Sequence, residues 1–190
     1  MKKKTIINSL IWKFLERIGV QGVQFVLQLL LARLLDPEHY GTLSVMVIFI
    51  NLANVFIQNG FNSALIQNKD VTEEDYSSVF WVQLGLVGIL YGLLYLLAPL
   101  IEGLYHLDGF VVPFRVLCLL LFPGALNSIQ LARFRRKMEF KKVFICSLSG
   151  IVISGLAGIG VALMGGGLWA LVCQNLLNIV VCCIVMCFTA

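Results

Sequence analysis

Charged side chains are scarce in this sequence, at 13% of its 190 residues. A soluble domain has about a quarter charged and about half apolar residues, whereas 59% of this chain is hydrophobic and its mean hydropathy is +0.93. The composition therefore excludes an ordinary water-soluble enzyme, a disordered tail and a coiled coil. It indicates an integral membrane protein with room for about six or seven crossings, each of about 20 apolar residues.

Motifs for catalysis and metal binding are also lacking. The two histidines, His39 and His106, fall in predicted loops, and the chain has no HExxH or GxSxG motif. Its six cysteines lie in apolar stretches without metal-ligand spacing, so we expect no zinc site or disulfide framework. The run Gly165-Gly166-Gly167 lacks the lysine and serine of a phosphate-binding loop. We predict a non-enzyme without catalytic residues, metal or cofactor, in which any transport draws on an existing gradient.

Long uncharged stretches mark the membrane spans. They cover residues 41–68, 79–101, 116–132 and 143–190, and the three glycines divide the last into two. A first span with internal charges ends at Asp36-Pro37, because the residue before a proline disfavours the helix. Those internal charges also argue against a cleavable signal. We predict an all-α polytopic bundle of six transmembrane helices, at approximately 6–35, 41–60, 78–100, 112–131, 145–164 and 168–188.

Small residues and prolines refine this prediction. Glycines give small faces to the third helix (85, 88 and 92) and to the fifth (150, 155, 158 and 160). Such faces let helix backbones approach each other. Pro99 and Pro123 are expected near helix ends, where a proline terminates or kinks a span.

The basic residues indicate orientation. Ten of the 14 lysines and arginines fall on the side of the N-terminus if six helices cross the membrane. The positive-inside rule then places both termini in the cytoplasm. The same rule explains the basic cluster at residues 133–142 without nucleic acid, although anionic lipid head groups remain possible partners there.

A polar stripe runs along the first helix, within an arc of about 140°. Its members are Ser9, Lys13, Glu16, Arg17, Gln21, Gln24 and Gln28. Polar groups at membrane depth indicate a substrate or ion pathway; the alternatives are a hydrogen-bonded seam between helices and an interfacial helix at residues 6–17. The number of aligned groups favours a water-filled cavity.

Further amides accompany this stripe. The second helix carries them, with one serine, on one face: Ser44, Asn51, Asn54 and Gln58. The fourth helix ends with Asn127, Ser128 and Gln130, and the sixth carries Gln174, Asn175 and Asn178. Each amide alone is explained by a contact between helices, but together they predict that polar faces line one cavity.

Five short motifs resemble those of the polysaccharide-repeat flippases, the Wzx-type exporters of the multidrug/oligosaccharidyl-lipid/polysaccharide superfamily, which is MATE-like. They are LARLLDPEHYG at 31–41, NGFNSALIQ at 59–67, TEEDYSSVFW at 72–81, RKMEFK at 136–141 and GLWALV at 167–172. They occur in order over nearly the whole chain. The similarity is strongest to the exporters of capsule, colanic acid and lipopolysaccharide.

The resemblance implies a bundle of about twelve to fourteen helices in two lobes around a cationic cavity. That cavity would turn an undecaprenyl-diphosphate-linked oligosaccharide outward across the bacterial cytoplasmic membrane, beside polymerase and glycosyltransferase machinery. It assigns Lys13, Arg17 and Arg33 to anionic groups, although Arg33 is also placed to anchor the helix at the outer interface. It assigns amides to sugar binding or cavity polarity: Gln21, Gln24, Gln28, Asn51, Asn54 and Gln58.

The length departs from this family. Residues 1–190 suffice for one lobe, so we expect the N-terminal lobe of an incomplete chain, or else a half-size subunit that dimerises. A second hypothesis is a cation-coupled multidrug exporter of the same superfamily, for which Glu16 is the one acidic candidate. A third is a membrane scaffold or remnant that transports nothing.

Overall fold

A computed structural model describes residues 2–67, 73–136 and 140–189 of the chain. The described residues form helices joined by short turns. The helices are α1 (Lys2–Leu34), α2 (Pro37–Gln67), α3 (Glu73–Tyr105), α4 (Val111–Cys118), α5 (Leu121–Arg136), α6 (Phe140–Leu163) and α7 (Leu168–Thr189). The protein is therefore an all-α polytopic membrane protein, as its uncharged stretches predict.

Five segments of the described residues are long and apolar enough to cross a membrane. They are Pro37–Ile57, Phe80–Tyr105, Val111–Leu131, Phe140–Leu163 and Leu168–Phe188. The predicted first span does not meet the same criterion. Helix α1 has 33 residues and a length of about 50 Å, but its charges and glutamines interrupt the apolar sequence. A count of six spans thus stays a prediction.

The predicted fourth helix at 112–131 is wrong as a single helix, since it is broken between α4 and α5. The amides of Leu119 and Leu120 bond to carbonyls three residues back, at 3.2 and 3.0 Å. Pro123 has no N–H, and its ring clashes with the carbonyl four residues before it, that of Leu119. The proline therefore kinks this span, as expected.

The other proline lies inside a helix. The predicted third helix ends at residue 100, but α3 continues to Tyr105 with Pro99 in its interior. Pro99 leaves the Tyr95 carbonyl without its usual helical donor. The Arg115 guanidinium donates to this oxygen at 3.4 Å and lies 3.8 Å from the centroid of the Tyr95 ring. A side chain of α4 thus compensates for the proline, which explains why α3 does not end there.

The start of the second helix also differs from the prediction, at Pro37 instead of residue 41. Proline suits the first position of a helix, where its missing N–H would have no partner. The main core lies among α2, α3, α4, α5 and α7, where Met46, Val87, Phe110 and Phe114 are fully buried.

The glycine faces predicted on two helices differ in how closely they pack against neighbouring helices. On α6, a Cβ at Gly150 would lie 3.0 Å from the Asn178 carbonyl oxygen, and one at Gly158 would lie 3.0 Å from Cβ of Gln174. Close packing of α6 is therefore confirmed. On α3, a Cβ at any of the three glycines meets nothing within 4 Å, so that face does not pack against the described part of the chain.

Candidate functional site

Helix α1 is held by α6, and the two helices run parallel. Gly19 lies beside Phe144, and further along the pair Leu27 packs against Gly155. Beyond it, Leu31 is fully buried in a cluster that includes Ala162. Because contacts on both helices advance in the same direction, the N-terminal end of α1 lies at the end of the bundle where α6 begins.

Helices α1 and α2 separate after their junction. Only Leu35 and Asp36 join them, and in the described part of the chain α1 packs along α6 and not along α2. Near the junction, the Tyr40 hydroxyl donates to the Gln28 carbonyl at 3.4 Å. The two helices therefore diverge from a fixed corner and leave a groove between them.

A cavity of about 460 Å³ occupies this groove. Helices α1, α2, α6 and α7 supply its lining, which consists of Gln24, Gln28, Tyr40, Leu43, Ser44, Val47, Ile48, Ile151, Leu171, Gln174, Asn175 and Asn178. Its floor depends on the glycines of α6, because Gly158 and Gly150 let α7 approach at Gln174 and Asn178. None of the described lining residues is lysine, arginine, aspartate or glutamate.

Several polar groups of the lining donate to backbone oxygens. The Ser44 hydroxyl donates to the Tyr40 carbonyl at 2.7 Å, and the Asn175 amide nitrogen donates to the Leu171 carbonyl at 2.8 Å. The Tyr40 hydroxyl donates to Gln28, as described above. Each of these groups keeps an oxygen that can accept a hydrogen bond. The two hydroxyls therefore present acceptor oxygens to the cavity, and the amides of the lining present both N–H donors and acceptor oxygens.

The predicted residues of α1 lie at different places relative to this cavity. Gln24 and Gln28 line it. Arg17 and Gln21 are exposed and share their helix face with those two glutamines, within about 60°; they continue the stripe beyond the lining. Arg33 is exposed at the other end of α1, outside the lining. The side chains of Lys13 and Glu16 lie outside the described residues.

The predicted residues of α2 continue its lining face. Asn51 is exposed and Asn54 is half-buried, and neither belongs to the lining. Both fall on the side of the helix that carries Tyr40 and Ser44, by the helical repeat. The side chain of Gln58 lies outside the described residues.

The sequence pattern missed one polar residue of the site. Tyr40 lines the cavity and also fixes its corner. Its spacing of four residues from Ser44 was the available signal, since residues four apart share a helix face. The amides at positions 174, 175 and 178 were noticed in the sequence, and the structure brings them together with Gln24 and Gln28.

The chain is similar to known proteins of polysaccharide biosynthesis. Residues 30–190 match the model of the family described as "Polysaccharide biosynthesis protein". The chain is 26% identical to the succinoglycan biosynthesis transport protein of Rhizobium meliloti over 171 residues, which cover 90% of the chain and 35% of that protein. It is 23% identical to a lipopolysaccharide biosynthesis protein of Escherichia coli, over 95% of the chain and 36% of that relative.

A third relative is the teichuronic acid biosynthesis protein of Bacillus subtilis, which is 24% identical over 92% of the chain and 36% of its own length. No solved structure gives a significant match. The chain spans about a third of the length of these relatives. The family model covers most of the sequence, including the six helices from α2 to α7 in full and ten of the twelve residues that line the cavity. The chain therefore belongs to the polysaccharide biosynthesis protein family.

Proposed function

We propose that this chain is the N-terminal lobe of a flippase that translocates an undecaprenyl-diphosphate-linked oligosaccharide across the bacterial cytoplasmic membrane for polysaccharide export. Both termini of the lobe lie in the cytoplasm, and translocation proceeds by alternating access. The relatives support this proposal, since one is named as a transport protein for succinoglycan biosynthesis and the others as lipopolysaccharide and teichuronic acid biosynthesis proteins.

The polar cavity is the observation that carries the proposal. Helices that cross a bilayer lose stability when they bury amides away from water without partners. This bundle nevertheless gathers five amides from two helices around one space of about 460 Å³. A polar solute that crosses the membrane needs such a space, whereas a lobe that served only as a scaffold does not.

In this proposal, basic residues and amides bind different parts of the substrate. Arg17, with Lys13 and Arg33, binds the diphosphate, because anions at membrane depth need cations. The amides of the lining and of the neighbouring stripe, Gln21, Gln24, Gln28, Asn51, Asn54 and Gln58, bind sugar hydroxyls or keep the pathway wet. Arg17 precedes Gln24 by seven residues, which corresponds to about 10 Å along α1.

The length of the relatives supports a second lobe. The described residues of α1 and α2 do not pack along each other, and alternating access requires two bodies that move against each other. We propose that further helices, or a second copy of the lobe, complete the pathway. The polysaccharide polymerase and the glycosyltransferases that build the glycan are then the expected functional partners.

The test is to remove the amides of the lining in the full-length gene product. The double variant Gln24→Leu/Gln28→Leu loses hydrogen bonds worth about 1–3 kcal/mol in sum, so surface polysaccharide falls about fivefold or more. Gln130→Leu is the matched control, because Gln130 lies on α5 outside the lining. Membrane abundance is measured for each variant.

The alternatives give different results in the same strains. For a multidrug exporter, surface polysaccharide stays at the control level while resistance to cationic dyes changes. For a non-transporting scaffold, neither quantity changes in the double variant, in Arg17→Ala or in Lys13→Ala. Either result contradicts the proposed function.

A further inference from the structure

We infer that the cavity between α1, α2 and α7 is a subsite for an uncharged sugar residue of the substrate, and that the diphosphate binds outside it. The inference rests on the proposed function and divides its pathway into two parts of different chemistry. The argument depends on which groups line the cavity and on which of their atoms remain available.

Charge is the first argument. The lining contains amides, hydroxyls and apolar side chains, and none of its described members carries a formal charge. A diphosphate at membrane depth requires cationic partners. The nearest described basic residue on the same face of α1 is Arg17, which is exposed and lies outside the lining. An uncharged ligand therefore suits the cavity, and an anion suits the stripe beyond it.

The direction of the hydrogen bonds is the second argument. Tyr40 and Ser44 donate their hydroxyl protons to backbone carbonyls of the helices, so these two hydroxyls present acceptor oxygens to the cavity, while the amides of the lining offer both N–H donors and acceptor oxygens. An ionised diphosphate has only acceptors, so it finds no partner in the hydroxyl and amide oxygens. A sugar hydroxyl donates as well as accepts, and it satisfies both kinds of group.

The apolar part of the lining is the third argument. Leu43, Val47 and Ile48 of α2 line the cavity together with Ile151 of α6 and Leu171 of α7. A pyranose ring combines hydroxyl edges with apolar C–H faces, and pockets for small molecules usually combine a few polar groups with apolar walls in about 300–1,000 Å³. The volume of about 460 Å³ is in this range.

A charge exchange in the full-length gene product tests the inference. Gln28→Glu keeps acceptor oxygens for sugar hydroxyls and repels a diphosphate, whereas Gln28→Lys removes the acceptor and supplies donors that suit phosphate. We expect the Glu variant to export about tenfold more surface polysaccharide than the Lys variant. At Arg17 the order is reversed, so that Arg17→Lys exports more than Arg17→Glu.

A second pair of variants tests the inference at another position, in case the variants at position 28 misfold. Asn178→Asp and Asn178→Lys repeat the comparison at a lining residue of α7, and export is normalised to membrane abundance. Gln130→Glu and Gln130→Lys, outside the lining, are the matched controls and are expected to export equally.

The outcomes separate the two proposals. Equal export by the acidic and basic variants at positions 28 and 178, or higher export by the basic ones, overturns the sugar subsite. If the reversed order at Arg17 persists in that case, the proposed flippase function stands. If export is independent of charge at Arg17 as well, and Gln24→Leu/Gln28→Leu exports normally, the proposed function fails too.

Discussion

Gly155 on α6 offers a sharp test of how α1 is held. A Cβ built at this position approaches three side-chain atoms of Leu27, with Cδ2 at 2.8 Å and Cγ at 3.0 Å. Carbon atoms in van der Waals contact are about 3.5–4.0 Å apart. In Gly155→Ala, therefore, Leu27 changes its conformation or α1 moves away from α6 by about 0.5–1 Å.

The expected loss of stability follows from this crowding. Overpacking of this kind costs about 1–3 kcal/mol, and in a chain of this size each kcal/mol lowers Tm by about 2–4 °C. We expect Gly155→Ala to lower the apparent Tm by about 2–12 °C. The measurement is the fraction of monodisperse protein that remains on size exclusion after heating in detergent.

A matched control is available on α3. Gly85→Ala makes the same chemical change where a Cβ meets nothing within 4 Å, so we expect its Tm to equal that of the wild type. In Gly155→Ala/Leu27→Ala the crowding is relieved, and the double variant is expected to be more stable than the sum of the single effects by about 0.5–3 kcal/mol. A wild-type Tm for Gly155→Ala, or strictly additive effects, would refute the proposed packing of α1.

Two further predictions concern the proline inside α3 and the orientation of the bundle in the membrane. Arg115→Ala leaves the Tyr95 carbonyl without its donor and is expected to lower the free energy of unfolding by about 1–3 kcal/mol. In Pro99→Ala/Arg115→Ala the alanine N–H restores the helical hydrogen bond, so we expect a smaller loss. Equal losses in the single and the double variant would contradict this role of Arg115. For the orientation, Asp108→Cys is expected to react with a membrane-impermeant maleimide in intact cells, and Lys141→Cys only after lysis. Mass spectrometry measures the labelling at each position. The opposite pattern would reverse the proposed topology.

Sequence patterns predicted five of the spans and most of the polar residues that line the cavity. Uncharged stretches located five membrane-crossing segments, and the glycines at 165–167 marked the turn before α7. The helical repeat correctly grouped Gln24 with Gln28, because residues four apart share a face. These are local properties of the chain, which is why a single sequence reveals them.

The arrangement of the helices could not be read in the same way. A periodic pattern shows which residues share a face but does not show which helix that face contacts. The glycines of α3 and of α6 look alike in sequence, yet Gly150, Gly155 and Gly158 of α6 pack closely, whereas Gly160 and the three glycines of α3 do not. The donation from Arg115 to Tyr95 likewise depends on how α4 lies against α3, and the junction of Leu35 and Asp36 gave no sign that α1 would leave α2 for α6.

The pairing of α1 with α6 also constrains the order of events during biosynthesis. Leu27 enters the membrane early, and its partner Gly155 is synthesised more than a hundred residues later, about 6–26 s at ordinary rates of translation. During that interval the polar stripe of α1 lacks the helices beside which it finally lies. The ribosome-bound chain therefore depends on the insertion machinery, or on the membrane surface, to shelter α1 until α6 and α7 emerge and the bundle closes.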